Sequence, residues 1–271
     1  MRLYKYVPPE RLDVLRNLRI RFTQPGAQND PFEFQPLIAR FRSPEASRQA
    51  LSPRVSAEFS RQAKERGISL DKLERAHPGC VGVAMESVFT AADVQSDLAA
   101  KGDILERLNK LGILSLSDSP NSPLMWCLYA ASHAGFVYEF DGTHSWFQAR
   151  ADEKDDTHFL RKVAYVDVPP SPYLAELPVN EVLYSKRKGW EHEREWRIIR
   201  PLAESSWHGS KGVYLFDVPP EALTGVIAGF RSTSKSVRQL RETLTNDRRL
   251  AHVRIGYGQV RGEETIHIDW Q

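Results

Sequence analysis

The apolar runs of this chain are all of strand length, and clusters of Pro, Gly, Asn, Asp and Ser interrupt them repeatedly. That spacing constrains the fold more than any single motif. Short apolar runs bounded by turn residues read as strands. None approaches the roughly 18 apolar residues that a membrane-spanning helix needs. Leu3-Tyr4-Lys5-Tyr6 alternates as a short strand. Pro8-Pro9-Glu10 opens a helix predicted to reach Leu18, with Leu12, Leu15 and Leu18 on one face. Residues 18–22 alternate again, Leu18, Ile20 and Phe22 facing one way and Arg19 and Arg21 the other, which predicts a half-buried strand. Residues 24–31 are dense in turn formers.

Residues 43–110 are polar and helical in pattern, with helix starts predicted at Ser43 and Ser69. They read as a helical insertion or cap, or else a small subdomain. Further strands are predicted over 112–117, 135–140, 163–168, 195–200, 213–218, 225–229 and 251–257, with helices over 124–132 and 234–244. The order has no regular β-α-β alternation and no internal repeat. The expectation is an α+β fold: a mixed, mostly antiparallel sheet with packed helices, in one domain over residues 1–271 with 43–110 inserted.

Composition narrows function by exclusion. Hydrophobic residues at 41% and charged residues at 27% are those of a globular chain, not a disordered one. A net charge of +2 provides no argument for nucleic-acid or membrane binding. The N-terminus lacks the apolar core of a signal peptide, and Cys80 and Cys127 have no paired spacing. Cytoplasm and two buried free thiols are expected. There is no G-x-S-x-G, neither common nucleotide-binding glycine motif, and no H-E-x-x-H or Cys/His metal spacing.

Residues that could carry chemistry fall in four places. Residues 190–197 read as a strand that lines up Glu191, Glu193, Glu195 and Arg197 on one face, with Trp196 and Ile198 turned to a core. Carboxylates so close need a cation, from Arg197, Lys186 or Lys188, or one is held protonated. Asn29 and Asp30 precede Pro31, either shaping a turn or offering polar groups to a ligand. Trp126, Tyr129 and His133 are spaced to share a helix face, as core or as a ligand shelf. His133 is the best-placed histidine for acid–base work. Lys186-Arg187-Lys188 is a solvated basic triplet, or a phosphate holder if it shares a cleft with Glu193 and Glu195.

Four spaced blocks together resemble a bacterial family known as the domain of unknown function 2971. They are Leu3-Tyr4-Lys5-Tyr6; Asn29-Asp30-Pro31-Phe32-Glu33; Ser115-Leu116-Ser117 with Met125, Trp126, Tyr129, His133, Gly135 and Phe136; and Lys186, Trp190, Glu193, Glu195, Trp196 and Arg197. The resemblance spans the chain except residues 43–110, and it implies no established chemistry. A second resemblance is narrower. Glu193-x-Glu195 is similar to the glutamate pair of ADP-ribosyltransferase-type folds. It implies that Glu195 meets the nicotinamide ribose and Glu193 the acceptor, with Ser115 and Ser117 as the Ser-x-Ser of a middle strand. Those folds carry His or Arg on the first strand, where this chain has Tyr4, Lys5 and Tyr6.

Two classes of function follow. The first is an NAD-using enzyme of a bacterial stress, toxin or phage-defence system, an ADP-ribosyltransferase or glycohydrolase with NAD as substrate. Tyr6, Trp126 or Trp190 would then stack on nicotinamide. The second is a non-catalytic sensor or interaction module that binds a nucleotide or peptide. A phosphodiesterase or nuclease is third. In each case Lys5, Asn29, Asp30, Ser117, His133, Glu193, Glu195 and Arg197 are expected to converge on one cleft.

Overall fold

Most alternating runs become strands and the capped runs become helices in the computed structural model, which describes residues 1–30, 41–149, 155, 157–167, 173–176, 179–209, 212–262 and 265–271. The strands are β1 (Arg2–Val7), β2 (Arg19–Phe22), β3 (Leu111–Ser117), β4 (Phe136–Asp141), β5 (Arg161–Lys162), β6 (Ala164–Val166), β7 (Ser185–Arg187), β8 (Glu195–Pro201), β9 (Trp207–Gly209), β10 (Val213–Asp217), β11 (Leu223–Ala228), β12 (Arg254–Val260) and β13 (Ile266–Trp270). The helices are α1 (Asp13–Asn17), α2 (Pro44–Glu65), α3 (Leu70–Ala76), α4 (Cys80–Leu108), α5 (Pro123–Tyr129), α6 (Val179–Tyr184) and α7 (Ser234–Asn246).

The chain divides into two compact units. The first comprises Met1–Glu33, Asn109–Val168 and Asn180–Gln271; the second comprises Phe34–Leu108 and Pro169–Val179. The second unit is helical. Ser43 caps α2 by accepting from the Ala46 N–H at 3.2 Å, and Ser69 caps α3 by accepting from Lys72 at 3.4 Å. Arg48 on α2 makes a two-pronged bond to Glu86 on α4, at 2.6 and 3.0 Å. None of the expected site residues lies in it. No helix among the described residues is long and apolar enough to cross a membrane.

The first unit is an α+β fold built on an eight-stranded sheet in the order β13-β12-β11-β4-β1-β3-β8-β5. Its neighbours are antiparallel except β11 and β12, which are parallel and joined by α7. Period-two alternation gives the sheet two apolar faces. Leu3, Val7, Leu114, Leu116, Tyr138 and Ile198 pack on one, against Val14 and Leu15 of α1 and Leu240 and Leu244 of α7. Tyr6, Val137 and Ile227 pack on the other, against Met125 and Trp126 of α5. A second sheet, β2-β10-β9, contributes Ile20, Phe22 and Phe216 to the first face.

One glycine at the top of β4 explains part of a motif. A Cβ on Gly135 would stand 2.2 Å from the Val7 carbonyl oxygen, so the chain can pass β1 there only without a side chain. Neither of the expected buried thiols is found: Cys127 is exposed on α5 and Cys80 is half-buried at the start of α4; both cysteines are unbridged.

Candidate functional site

The site begins as a fault in the sheet. β1 pairs with β4 along its whole length, from Arg2–Asp141 to Val7–Phe136. With β3 it shares the single register pair Tyr4–Ser117 among the described residues. Past that pair β1 and β3 part. β3 stays in register with β8 from Leu111 to Ser117, and its Ile113 bridges to Thr23 beyond β2. The parting would strand a carbonyl on β3. Lys5 answers it, donating from its ammonium to the Ser115 oxygen at 2.8 Å.

A cavity of about 370 Å³ opens where the strands part. That is within the roughly 300–1,000 Å³ of small-molecule sites. Residues 4–8 line one side and Ile113 and residues 115–117 the other; Arg21, Gln28, Asn29, Asp30, Tyr129, Lys186, Trp190, Glu193 and Glu195 complete the wall. Of the expected site residues, Lys5, Tyr6, Asn29, Asp30, Ser115, Ser117, Trp190, Glu193 and Glu195 therefore meet in one place. The rest of the second block, Pro31 to Glu33, lies outside the described residues.

Three expected site residues do not line the cavity. Trp126 is fully buried in the second apolar face, edge-on to Tyr6 at 5.5 Å, with its indole N–H given to the Pro120 carbonyl at 2.8 Å. His133 does not continue the helix face. α5 ends at Tyr129, and Ala131, Ser132 and His133 follow with φ of 47°, 52° and 72°. This left-handed run carries the imidazole back over the Trp126 ring, 6.3 Å away and nearly parallel, and against Phe230. Burial, aided by the Arg231 charge, pushes its pKa down. Arg197 lies behind the cavity wall and is almost wholly buried.

The Glu-x-Glu segment is not one continuous strand. Lys188–Glu193 form a 3-10 helix, and Arg194, at φ 48°, makes the left-handed step into β8. Glu193 thus arrives from a helical turn and Glu195 from a strand, and their carboxylates meet around Lys186. The Lys186 ammonium donates to Glu193 Oε2 at 2.6 Å and to Glu195 Oε2 at 3.2 Å. From β8 on, the expected alternation holds: Arg197 shares the Glu195 face, while Ile198 and Trp196 join the opposite core.

The two carboxylates differ in what is left to bind. An ionised carboxylate has about four acceptor sites. Glu195 receives Arg197 Nε at 2.7 Å, Arg197 Nη2 at 2.9 Å, Lys186 and the Ser115 hydroxyl, which fills it. Glu193 receives the Tyr129 hydroxyl at 2.5 Å and Lys186, which leaves acceptor capacity on the cavity wall. The Glu195 backbone N–H is also taken, by the Tyr165 hydroxyl at 2.8 Å.

Protonation follows from this packing. Burial pushes the Glu195 carboxyl up, helped by Glu193 and opposed by Lys186. Burial would lower Lys186, but the charges of Glu195 and Glu193 outweigh it and hold Lys186 above the usual lysine value. Burial lowers Arg197 to about 9, which still leaves it charged at neutral pH. Burial also lowers Lys5, to about 8, the nearby Arg21 charge adding to the effect and Glu195 and Glu193 opposing it. Tyr129 is raised by burial and then by Glu193, so it stays a hydrogen-bond donor.

The chain matches no family model, no curated protein and no solved structure. The site must therefore be read from its own chemistry. Two of its groups behave otherwise than their sequence pattern suggests. Tyr129 is spaced with Trp126 and His133 as one aromatic stripe, core or ligand shelf, yet it alone of the three lines the cavity and turns its hydroxyl to Glu193. Arg21 has no functional reading in the sequence, where it alternates onto the polar face of a strand, yet it reaches the cavity. Its Nε is buried, and among the described residues Arg21 has no hydrogen bond or ion pair.

Proposed function

We propose that the first unit binds a small molecule of the nucleotide class in this cavity, and that Glu193 is the carboxylate that meets it. The observation that carries the reading is the unequal state of the two glutamates. Glu195 is filled by its own protein, whereas Glu193 presents spare acceptor capacity to a cavity of ligand size. A carboxylate in that state accepts from ribose hydroxyls or an amide N–H. Trp190, half-buried on the same wall with the Lys186 ammonium 5.1 Å from its ring centre, supplies an aromatic surface for a planar base. The test is calorimetric titration with adenosine diphosphate, adenosine diphosphate ribose and NAD. Binding by wild type with at least tenfold weakening in Glu193→Gln is expected; no binding of any of the three removes the reading.

A second reading, cleavage of NAD at its glycosidic bond, is favoured by the same carboxylate. Positive charge develops on the ribose in that reaction, and a fixed carboxylate stabilises it selectively in the transition state. The roles suggested by the ADP-ribosyltransferase resemblance are then revised. Glu193 takes the ribose role, because Glu195 has its charge committed to Arg197 and Lys186. Nicotinamide release from NAD by wild type, abolished in Glu193→Gln, is the expected result. Binding of NAD without release leaves the protein a nucleotide-binding module.

A further inference from the structure

The cavity has a second chemical end, opposite in sign to Glu193. Arg21 comes from β2, Lys5 from β1 and Gln28 from the turn after Pro25–Ala27. Arg21 Nε and Gln28 Nε2 are buried atoms with no hydrogen-bond partner among the described residues. Buried donors left unpaired cost free energy, and a guanidinium more than an amide. Lys5 spends one ammonium hydrogen on the Ser115 carbonyl and has two more to give. Two cations close enough to repel each other line one space, and among the described residues no carboxylate is bonded to either.

We propose that Arg21, Lys5 and Gln28 form an oxyanion subsite that holds a phosphoryl group of the bound ligand. A phosphoryl group suits it better than a carboxylate. Three donors from three elements match three terminal oxygens, and the guanidinium fork can take two of them together. An oxyanion placed there satisfies both orphaned nitrogens and relieves the repulsion between Lys5 and Arg21. The subsite rests on the nucleotide reading for its ligand class, and it orients that ligand: phosphate toward Arg21, ribose or base toward Glu193 and Trp190.

The test uses Lys5 as a built-in reporter. Its amine is acetylated by a pulse of acetic anhydride at pH 7.5, and the modification is read by mass spectrometry on the full chain after digestion. Inorganic pyrophosphate and adenosine diphosphate should each slow Lys5 acetylation at least tenfold at saturation. Adenosine, without a phosphate, should not. Arg21→Gln should raise the concentration of pyrophosphate needed by about 10- to 100-fold, the loss of one charged hydrogen-bonding partner, and Arg21→Lys should restore part of it. If Arg21→Gln does not fold, protection in wild type and its weakening in Arg21→Lys decide the matter. Calorimetric binding of adenosine diphosphate without protection of Lys5, or with unchanged affinity in a folded Arg21→Gln, overturns the subsite and leaves the nucleotide reading intact. Failure of pyrophosphate to protect, together with failure of adenosine diphosphate, adenosine diphosphate ribose and NAD to bind, overturns both.

Discussion

Replacing Glu195 by Gln tests whether this residue builds the site or works in it. In the folded protein, Glu195 Oε1 accepts from Arg197 Nε, and Oε2 accepts from Arg197 Nη2 and Lys186 Nζ. A glutamine has one oxygen. Its amide nitrogen, placed at either position, points a donor at a donor. The better choice keeps the oxygen at Oε2 and loses the Arg197 Nε bond. The charge balance changes as well: two cations, Lys186 and Arg197, then face Glu193 alone in a region where all four residues are at least nine-tenths buried. Removing one member of a buried, hydrogen-bonded ion network typically costs about 3–5 kcal/mol. The lost Arg197 Nε bond, at roughly 1.5–3 kcal/mol, and the weakening of the two bonds that remain once their acceptor is neutral point to the same range. For a unit of this size that is a fall in Tm on the order of 10 °C. Urea and thermal unfolding of wild type, Glu195→Gln, Arg197→Met and the double variant measure it. The double variant should recover at least about 2 kcal/mol of coupling, because the unpaired guanidinium is then gone. A Glu195→Gln variant within about 1 kcal/mol of wild type that has lost nucleotide binding refutes the argument and makes Glu195 the working carboxylate.

Lys5 predicts a pH signature. Its folded pKa of about 8 lies below the ordinary 10.5, so between those values the unfolded chain holds the proton and the folded chain does not; stability should rise with pH across that window, by about 3 kcal/mol in full. Lys5→Met should flatten the rise in urea midpoints between pH 8 and 10, and equal slopes in the two proteins count against a buried Lys5 cation. Trp126→Ala should cost about 3–5 kcal/mol as a core truncation, whereas Trp190→Ala should change stability little and weaken nucleotide binding; the same unfolding and titration assays separate them. Gly135→Ala should destabilise by about 2–3 kcal/mol, because its Cβ meets backbone and not a movable side chain. Gly102→Ala, inside α4 with nothing near its Cβ, should stabilise that helix by about 1 kcal/mol by circular dichroism.

Local chemistry was legible where it decides local structure. The strand at Arg19–Phe22, the serine caps at Ser43 and Ser69 and the α7 helix all follow from periodicity and capping. Of the strand-level readings that failed, two did so for identifiable reasons. The expected strands stop at residue 257, although Ile266–Trp270 forms β13 at the sheet edge; its apolar residues alternate with only His267 and Asp269, so the run is short and its turn signals are weak. Residues 190–197 alternate in charge as a strand would, but Gly189 and the left-handed Arg194 let the first half coil into a 3-10 turn. Charge alternation has no backbone preference of its own; apolar alternation acts because burial rewards it.

The cavity was harder to see because it exists where a ladder stops, and pairing partners are set by the whole fold. Even so, β1 carries a signal of it. Leu3 and Val7 face one apolar layer and Tyr4 and Tyr6 the other, so parity puts Lys5 between Leu3 and Val7, on the core face of a strand in the middle of the sheet. An ammonium there is expensive unless it has an acceptor and nearby polar groups. A regular β1–β3 ladder would leave it neither, since every neighbouring carbonyl would be bonded to a backbone N–H. The lysine is tolerable only if the ladder opens beside it and exposes a carbonyl, which is what Ser115 does. A cation at a core parity position of a central strand therefore implies a break in the adjacent pairing, and a break in a central sheet implies a hole. Arg21 then has a reason to point inward: the hole that accommodates Lys5 is also the nearest space in which a second cation, placed on β2 with its own apolar neighbours turned to the core, can meet an anion.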